Sequence, residues 1–412
     1  MPSTPQSLAI LGAGPTGLDA ALAAAERGRA FTLYEAAPHV AGAVQQWRHV
    51  RLFTPWSMSV SPRMRRALEA AGRSVPDDPV ACPTGAELIE QVFAPIARLP
   101  QLRPQLRFGA QVKAIAREGY LKHEGIGDPA RGARPLRLLL DDHTNQWTAS
   151  ADAVLDCTGA TLANALGADG IPALGEDAAA AAGHIVRALP DIEAEAGNYA
   201  GRTTLLVGGG RSAQTAARSL AALARQHPGT ELIWVLRGAS EGVGDGDDPL
   251  PERARLTAEA HRLIHDTPPG VTVRRGLVID GLVVTDRGLH CTLRPSMPDD
   301  QEAPTAEMLR VDRILSLTGH APDFRIYRQL QVHECYATAG PMKLAAALLG
   351  ASGGGGDCLD QTSLGAETLR NPEPNFYILG RKSYGRRSDY LMRVGWEQVD
   401  EVFSLLDGAV AA

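Results

Sequence analysis

The chain is poor in cysteine. Five residues in 412 (Cys82, Cys157, Cys291, Cys335, Cys358) stand far apart, with no C-x-x-C pair and no zinc-ligand spacing. This excludes an adjacent redox dithiol and a structural zinc, and no metal is expected; the thiols read as scattered reduced residues of a cytosolic enzyme. An excess of positive charge is also missing. Forty-one Lys plus Arg face 47 Asp plus Glu, a formal charge of −6, which leaves no footprint for a nucleic-acid backbone. No apolar run approaches the roughly 18 residues needed to cross a bilayer, and Met1 to Ala9 lacks a basic stretch or a cleavage site. A cytoplasmic protein with no membrane partner is expected. What is present, 44% apolar and 21% charged residues, argues against disorder. The length exceeds one ordinary core, so two or three domains are expected.

Two segments share one plan: apolar strand, glycine turn, Ala-rich helix, second strand. They are Ser7 to Ala36 and Arg202 to Gly238. Each is a βαβ start. Strand-like stretches follow each, and each half closes on a strand leading to Thr-Gly, at Thr158-Gly159 and at Thr318-Gly319. Gly353 to Gly356 reads as a flexible loop. The closing segment NFYILGRKSYGRRSDYLMRVGWEQVDEVFSLL reads as a strand, a turn at Gly380 and an amphipathic helix, and its position suggests a return to the first domain.

Gly12, Gly14 and Gly17, with Pro15 and Thr16 between the last two, form a G-x-G-x-x-G between strand Leu8 to Leu11 and a helix beginning near Thr16. The first glycine permits the tight turn, the second admits a pyrophosphate, and the third lets helix and strand pack closely. The helix N-terminus then offers free N–H groups and a positive dipole end. The next strand ends at Glu35, followed by Ala36, where a carboxylate can accept from ribose hydroxyls; it would repel a 2′-phosphate, so the site suits FAD or NAD. The second motif runs Gly208, Gly210, Arg211, Ser212, Ala213, a G-x-G-x-x-A after strand Thr203 to Val207 that opens a helix over Ser212 to Ala224. Its strand ends at Arg237 with no acid beside it. Arginine there can hold the 2′-phosphate of NADP, with Arg211 sharing the role; the plainer reading is a basic residue at a strand end.

On these motifs the sequence resembles the two-dinucleotide-binding flavoproteins, which include glutathione-reductase-like enzymes, flavin-containing monooxygenases and amine N-hydroxylases. The resemblance implies an α/β fold of two Rossmann-like dinucleotide-binding domains with the NAD(P) domain inserted into the FAD domain: FAD domain 1–165 and 315–412, NADP domain 166–314. It also implies Val112 beside the adenine, Thr158 and Gly159 near the FAD phosphates, and the segment from Trp47 to Trp56 along the isoalloxazine. Packing in the core is the alternative for those aromatics. Asp312 to Asp323 is similar to the D-x-x-x-L-A-T-G-Y-x-x-P stretch of N-hydroxylases, with Leu317 for Ala and His320 for Tyr. The turn from Tyr384 to Leu391 is similar to theirs and lacks the Gly-Asp of the reductases. Gly183 to Arg187 is the only segment resembling the flavin-containing monooxygenase fingerprint, without its aromatics.

A disulfide reductase of this superfamily needs paired thiols beside the flavin; a monooxygenase needs no protein nucleophile, since reduced flavin activates oxygen. The expected function is therefore an FAD-dependent, NADPH-using oxidoreductase, foremost a monooxygenase acting on nitrogen or sulfur of a small polar metabolite, with O2 as co-substrate. An NAD(P)H-dependent reductase with another acceptor and a non-catalytic flavin or nucleotide sensor remain alternatives. The catalytic side chains are unassigned, with His49 and His320 the histidines to consider for proton handling. Arg381, Lys382, Arg386, Arg387 and Arg393 form a basic cluster, able to bind an anionic group or simply solvated. The sequence leaves room for a homo-oligomer.

Overall fold

The structure is a computed structural model that describes residues 7–238, 243, 248–286, 288–297, 305–351 and 362–408; the glycine loop expected at 353–356 lies outside them. In chain order, the elements that position the site are β1 (Ser7–Leu11), α1 (Pro15–Glu26), β2 (Ala30–Glu35), α2 (Pro62–Ala70), β3 (Leu106–Phe108), β4 (Ala153–Asp156), β5 (Thr203–Val207), α3 (Arg211–Gln226), β6 (Glu231–Leu236), α4 (Pro251–Asp266), β7 (Val271–Arg275), β8 (Arg313–Ser316), β9 (Phe376–Ile378) and α5 (Met392–Leu406). The chain divides into two compact units, Met1–Leu162 with Ala321–Ala412, and Ala163–His320.

The first unit is built on a five-stranded sheet of order β9-β4-β1-β2-β3, parallel throughout. Its central strands are short and apolar because both faces are covered: Leu8 and Ile10 face one core cluster, Ala9 and Leu11 another. The Ala-rich α1 packs between the sheet, α2 and α5, which explains why Thr16 through Ala24 are all buried. β9 comes from the end of the chain and pairs with β4, so the closing segment completes this sheet. A three-stranded antiparallel sheet (Gln111–Arg117, Leu136–Asp141, Gln146–Ala151) belongs to the same unit.

The second unit repeats the plan with order β7-β6-β5-β8 and Ile185–Val186 at the edge, again all parallel. Here α3 is amphipathic: Ala213, Ala216, Ala217, Leu220 and Ala221 face the sheet, and Ser212, Arg218 and Arg225 do not. A second antiparallel sheet (Leu277–Thr285, Gly288–Pro295, Glu307–Val311) covers the opposite side of the core, with Leu277, Ile279, Leu289 and Leu293 inward. In both sheets the strand order reverses beside the first strand, and the carboxyl ends there are where open α/β sheets bind ligands.

Candidate functional site

The first glycine turn is closed by its own backbone geometry. Gly12 has φ +94°, and a Cβ there would meet the Cys157 carbonyl oxygen at 2.8 Å. A Cβ on Gly17 would collide with the Gly12 carbonyl oxygen, so the helix can begin this close to the strand only with glycine. Around Gly14 nothing lies within 4 Å of a Cβ, and α1 starts there with Pro15 in its first turn, no side-chain cap and no acid. Open space over uncapped N–H groups at a dipole end fits a pyrophosphate.

Glu35 at the end of β2 accepts from the Ala13 N–H at 2.7 Å through Oε2 and from the Ala37 N–H at 2.9 Å through Oε1. A carboxylate has about four acceptor positions, so it clamps the turn and can still receive ribose hydroxyls. Ala36, next to it, is exposed. The carbonyl of Glu35 accepts from Ala110 N–H at 2.9 Å, which brings the Ala110–Val112 stretch to the end of β2; the Val112 side chain itself is core.

The closing segment meets this turn. A Cβ on Gly380 (φ +67°) would lie 2.5 Å from Thr16 Oγ1, and the Tyr390 hydroxyl stands 3.4 Å from the same oxygen. Thr158 and Gly159 follow β4, with Gly159 at φ +76° and open space beyond it. Trp47 is partly buried, packed on the core and against Gly85, whereas Trp56 is fully within the core. His49 is half-buried, and its Nε2 is among the buried described atoms without a hydrogen-bond partner. Of the basic cluster, Lys382 is not solvated at all: it is 1% exposed and ion-paired to Asp156. Arg387 pairs with Asp389 and Arg393 with Glu397, Arg381 donates to the Gly385 carbonyl, and Arg386 is exposed. Sequence reading missed the Asp156–Lys382 pair, whose partners lie in different segments.

In the second unit, Gly208 (φ +130°) leaves no room for a side chain against the Leu317 carbonyl, and Gly210 has open space around it. α3 begins at Arg211, one residue before the expected Ser212, also without a side-chain cap or a first-turn acid. Arg211 is drawn to Asp248 at 3.3 Å and to Thr257, which occupies it with a carboxylate. β6 stops at Leu236, so Arg237 stands one residue beyond it, exposed and with no ion pair among the described residues. Ala213 fills the third motif position inside the core. Thr318 and Gly319 (φ +92°) form the turn after β8, bound to Asn164 through the Thr318 carbonyl at 3.0 Å; His320 is exposed at the end of the unit.

Residues 10–67 match a family described as NAD(P)-binding Rossmann-like domain. No curated protein matches the chain. Among solved structures it is similar to the bacillithiol disulfide reductase of Bacillus cereus at 13% identity, covering 98% of this chain and 99% of that one with a TM-score of 0.70. It is similar to the ornithine N-hydroxylase of Kutzneria sp. 744 at 12% identity, 99% and 100% coverage and a TM-score of 0.64. The thioredoxin reductase of T. acidophilum matches at 13% identity, 98% and 100% coverage and 0.59. The chain has the fold of the two-dinucleotide-binding-domain flavoproteins. Within this flavoprotein fold the neighbours include disulfide reductases and monooxygenases alike, so the reaction has to be argued from residues. Among the described residues no helix is long and apolar enough to cross a membrane.

Among the described residues the cysteine at the first glycine turn is Cys157, whose Cβ lies 3.5 Å from where a Gly17 side chain would begin. Burial, and then the Asp156 carboxylate, push its thiol well above the ordinary range, which disfavours the thiolate. Cys82, Cys291 and Cys335 are likewise unbridged, and Cys358 lies outside the described residues.

Proposed function

We propose that this protein is an FAD-dependent, NADPH-using oxidoreductase, and within that class a monooxygenase that oxygenates nitrogen or sulfur of a small polar metabolite. The first unit is assigned FAD. Although the matching family is described by NAD(P), the Glu35 carboxylate at the ribose end opposes a 2′-phosphate. The second unit is assigned NADPH on the exposed Arg237 and the absence of an acid after β6.

The observation that carries the choice of reaction is the absence of a C-x-x-C thiol pair from the sequence. A relay from flavin to a disulfide needs a thiolate with a second thiol in reach; the five cysteines stand too far apart in sequence for a C-x-x-C, and burial raises the Cys157 thiol at the turn. Bound flavin would supply hydride acceptance from NADPH and electron delivery to O2, one oxygen atom entering the substrate and the other leaving as water. The protein's own part is to hold the cofactors and exclude water.

Stopped-flow absorbance tests this: the purified protein is reduced with NADPH without oxygen, then mixed with oxygen. A near-ultraviolet transient before reoxidation, with one oxygenated product per NADPH, is the expected result. Immediate return of oxidised flavin, or indifference to oxygen, would favour a reductase with a small-molecule or protein acceptor, the reading supported by the disulfide reductase likeness in fold. No flavin reduction by NADPH would favour a sensor.

A further inference from the structure

A fully buried ion pair that the assignment above does not use joins the end of β4 to the closing segment. Lys382 Nζ lies 2.6 Å from Asp156 Oδ2, with both side chains at 0% exposure, and 3.0 Å from Thr158 Oγ1. It also stands 5.1 Å over the ring of Tyr327. The Thr158 hydroxyl lies 2.7 Å from Asp156 Oδ1, and the Thr158 N–H donates to the same oxygen at 3.1 Å. An ammonium can only donate and a carboxylate can only accept. The direction of each bond is therefore set: Lys382 donates to the hydroxyl, and the hydroxyl gives its hydrogen to Asp156.

Thr158 is left with one free lone pair and no hydrogen to offer. It is half-buried, between the glycine turn, where a Gly12 Cβ would meet its Cα at 3.2 Å, and the open space beyond Gly159. A phosphate oxygen, itself an acceptor, has nothing to gain from this hydroxyl; a ligand hydroxyl does. Resting on the FAD reading of the first unit, we propose that Lys382 and Asp156 are a positioning pair that fixes Thr158 as an acceptor for a hydroxyl of the ribityl chain. The adenosine ribose hydroxyls go to Glu35 instead. This revises the expectation from resemblance that Thr158 serves the phosphates, leaving that contact to main-chain N–H groups.

The test titrates the deflavinated full chain with FAD and, separately, with ADP, which has no ribityl chain. Thr158→Val is expected to weaken FAD about tenfold, as for loss of one buried hydrogen bond, with ADP affinity unchanged; Thr158→Ser restores FAD. Lys382→Met alone strands a buried carboxylate and lowers Tm by about 10 °C. The charge-free double variant Lys382→Met/Asp156→Leu returns Tm towards wild type yet keeps the FAD-selective loss. A double variant with wild-type FAD affinity, or equal loss of FAD and ADP in Thr158→Val, would reduce the pair to a structural tie and overturn the inference. Wild-type protein that takes up no FAD sinks the cofactor assignment itself, whereas wild-type uptake with Thr158→Val unchanged sinks the positioning role alone.

Discussion

At the first glycine turn a carboxylate holds the loop, with Glu35 accepting from the Ala13 N–H; at the second an indole does, with Trp234 Nε1 donating to the Gly208 carbonyl at 2.8 Å. The third motif position is a glycine beneath the Gly12 carbonyl in one and Ala213 in the other. One turn is therefore clamped by a negative charge at the ribose end, the other by a neutral group on the strand. Clamping and charge selection are separable tasks, and giving the first to Trp234 leaves the end of β6 free to carry Arg237. The helices differ as well. α1 is buried on nearly every face and holds Asp19 in its second turn against Ser61 and Arg63; α3 has Thr215 at the matching place, bonded back to the Arg211 carbonyl at 2.9 Å.

The sharpest break in this comparison is steric. Gly17→Ala should cost about 3 kcal/mol or abolish folding of the first unit, because the new methyl meets backbone. Ala213→Gly, the reciprocal change, should cost about 1 kcal/mol; calorimetric unfolding of the pair checks both, and similar losses would show the two turns to be equivalent. Next, Glu35→Gln removes charge-assisted acceptance from both N–H groups and ribose, and FAD affinity should fall about thirtyfold, from about 2 kcal/mol. Arg237→Ala should raise the KM for NADPH about tenfold and leave that for NADH alone; equal effects would remove the 2′-phosphate from the account.

The remaining effect is electrostatic. Burial pushes the Asp19 carboxyl up to about 6, against the opposing pull of Arg63 and the Ser61 hydroxyl. Its folded value thus lies above its unfolded one, so its contribution is greatest below about pH 4 and is lost as pH rises through about 6. Urea unfolding of wild type and Asp19→Asn between pH 4 and 7 should show the wild type losing ground to the variant across that window, whereas parallel curves would mean that Arg63 cancels the burial.

The two turns were legible because their signals are local. Glycine spacing, the apolar strand before it and the alanine helix after it lie within thirty residues, and β5 has the expected bounds. Sheet order was not legible, since no short window shows which strands pair, and the return of the closing segment was suggested by its position in the chain and by the resemblance. Lys382 was misread as part of a basic face for the same reason. A lysine belongs in water unless a partner is buried with it, and its partner lies 226 residues earlier in the chain. Arg211 was expected free for a phosphate, and the Asp248 that engages it follows a stretch with no recognisable motif.

The second unit begins and ends at one place: the Asn164 N–H donates to the Gly319 carbonyl at 3.0 Å. For the chain of the first unit, β4 and β9 are therefore far apart by sequence but near neighbours once the insertion has folded. Closing a long disordered loop carries an entropic cost that grows with its length; a folded insert with adjoining ends presents only a short one. Assembly of the β9–β4–β1 edge should then follow folding of the insert, and the first unit's last strand and α5, though made after the insert, join a sheet whose gap has already been bridged.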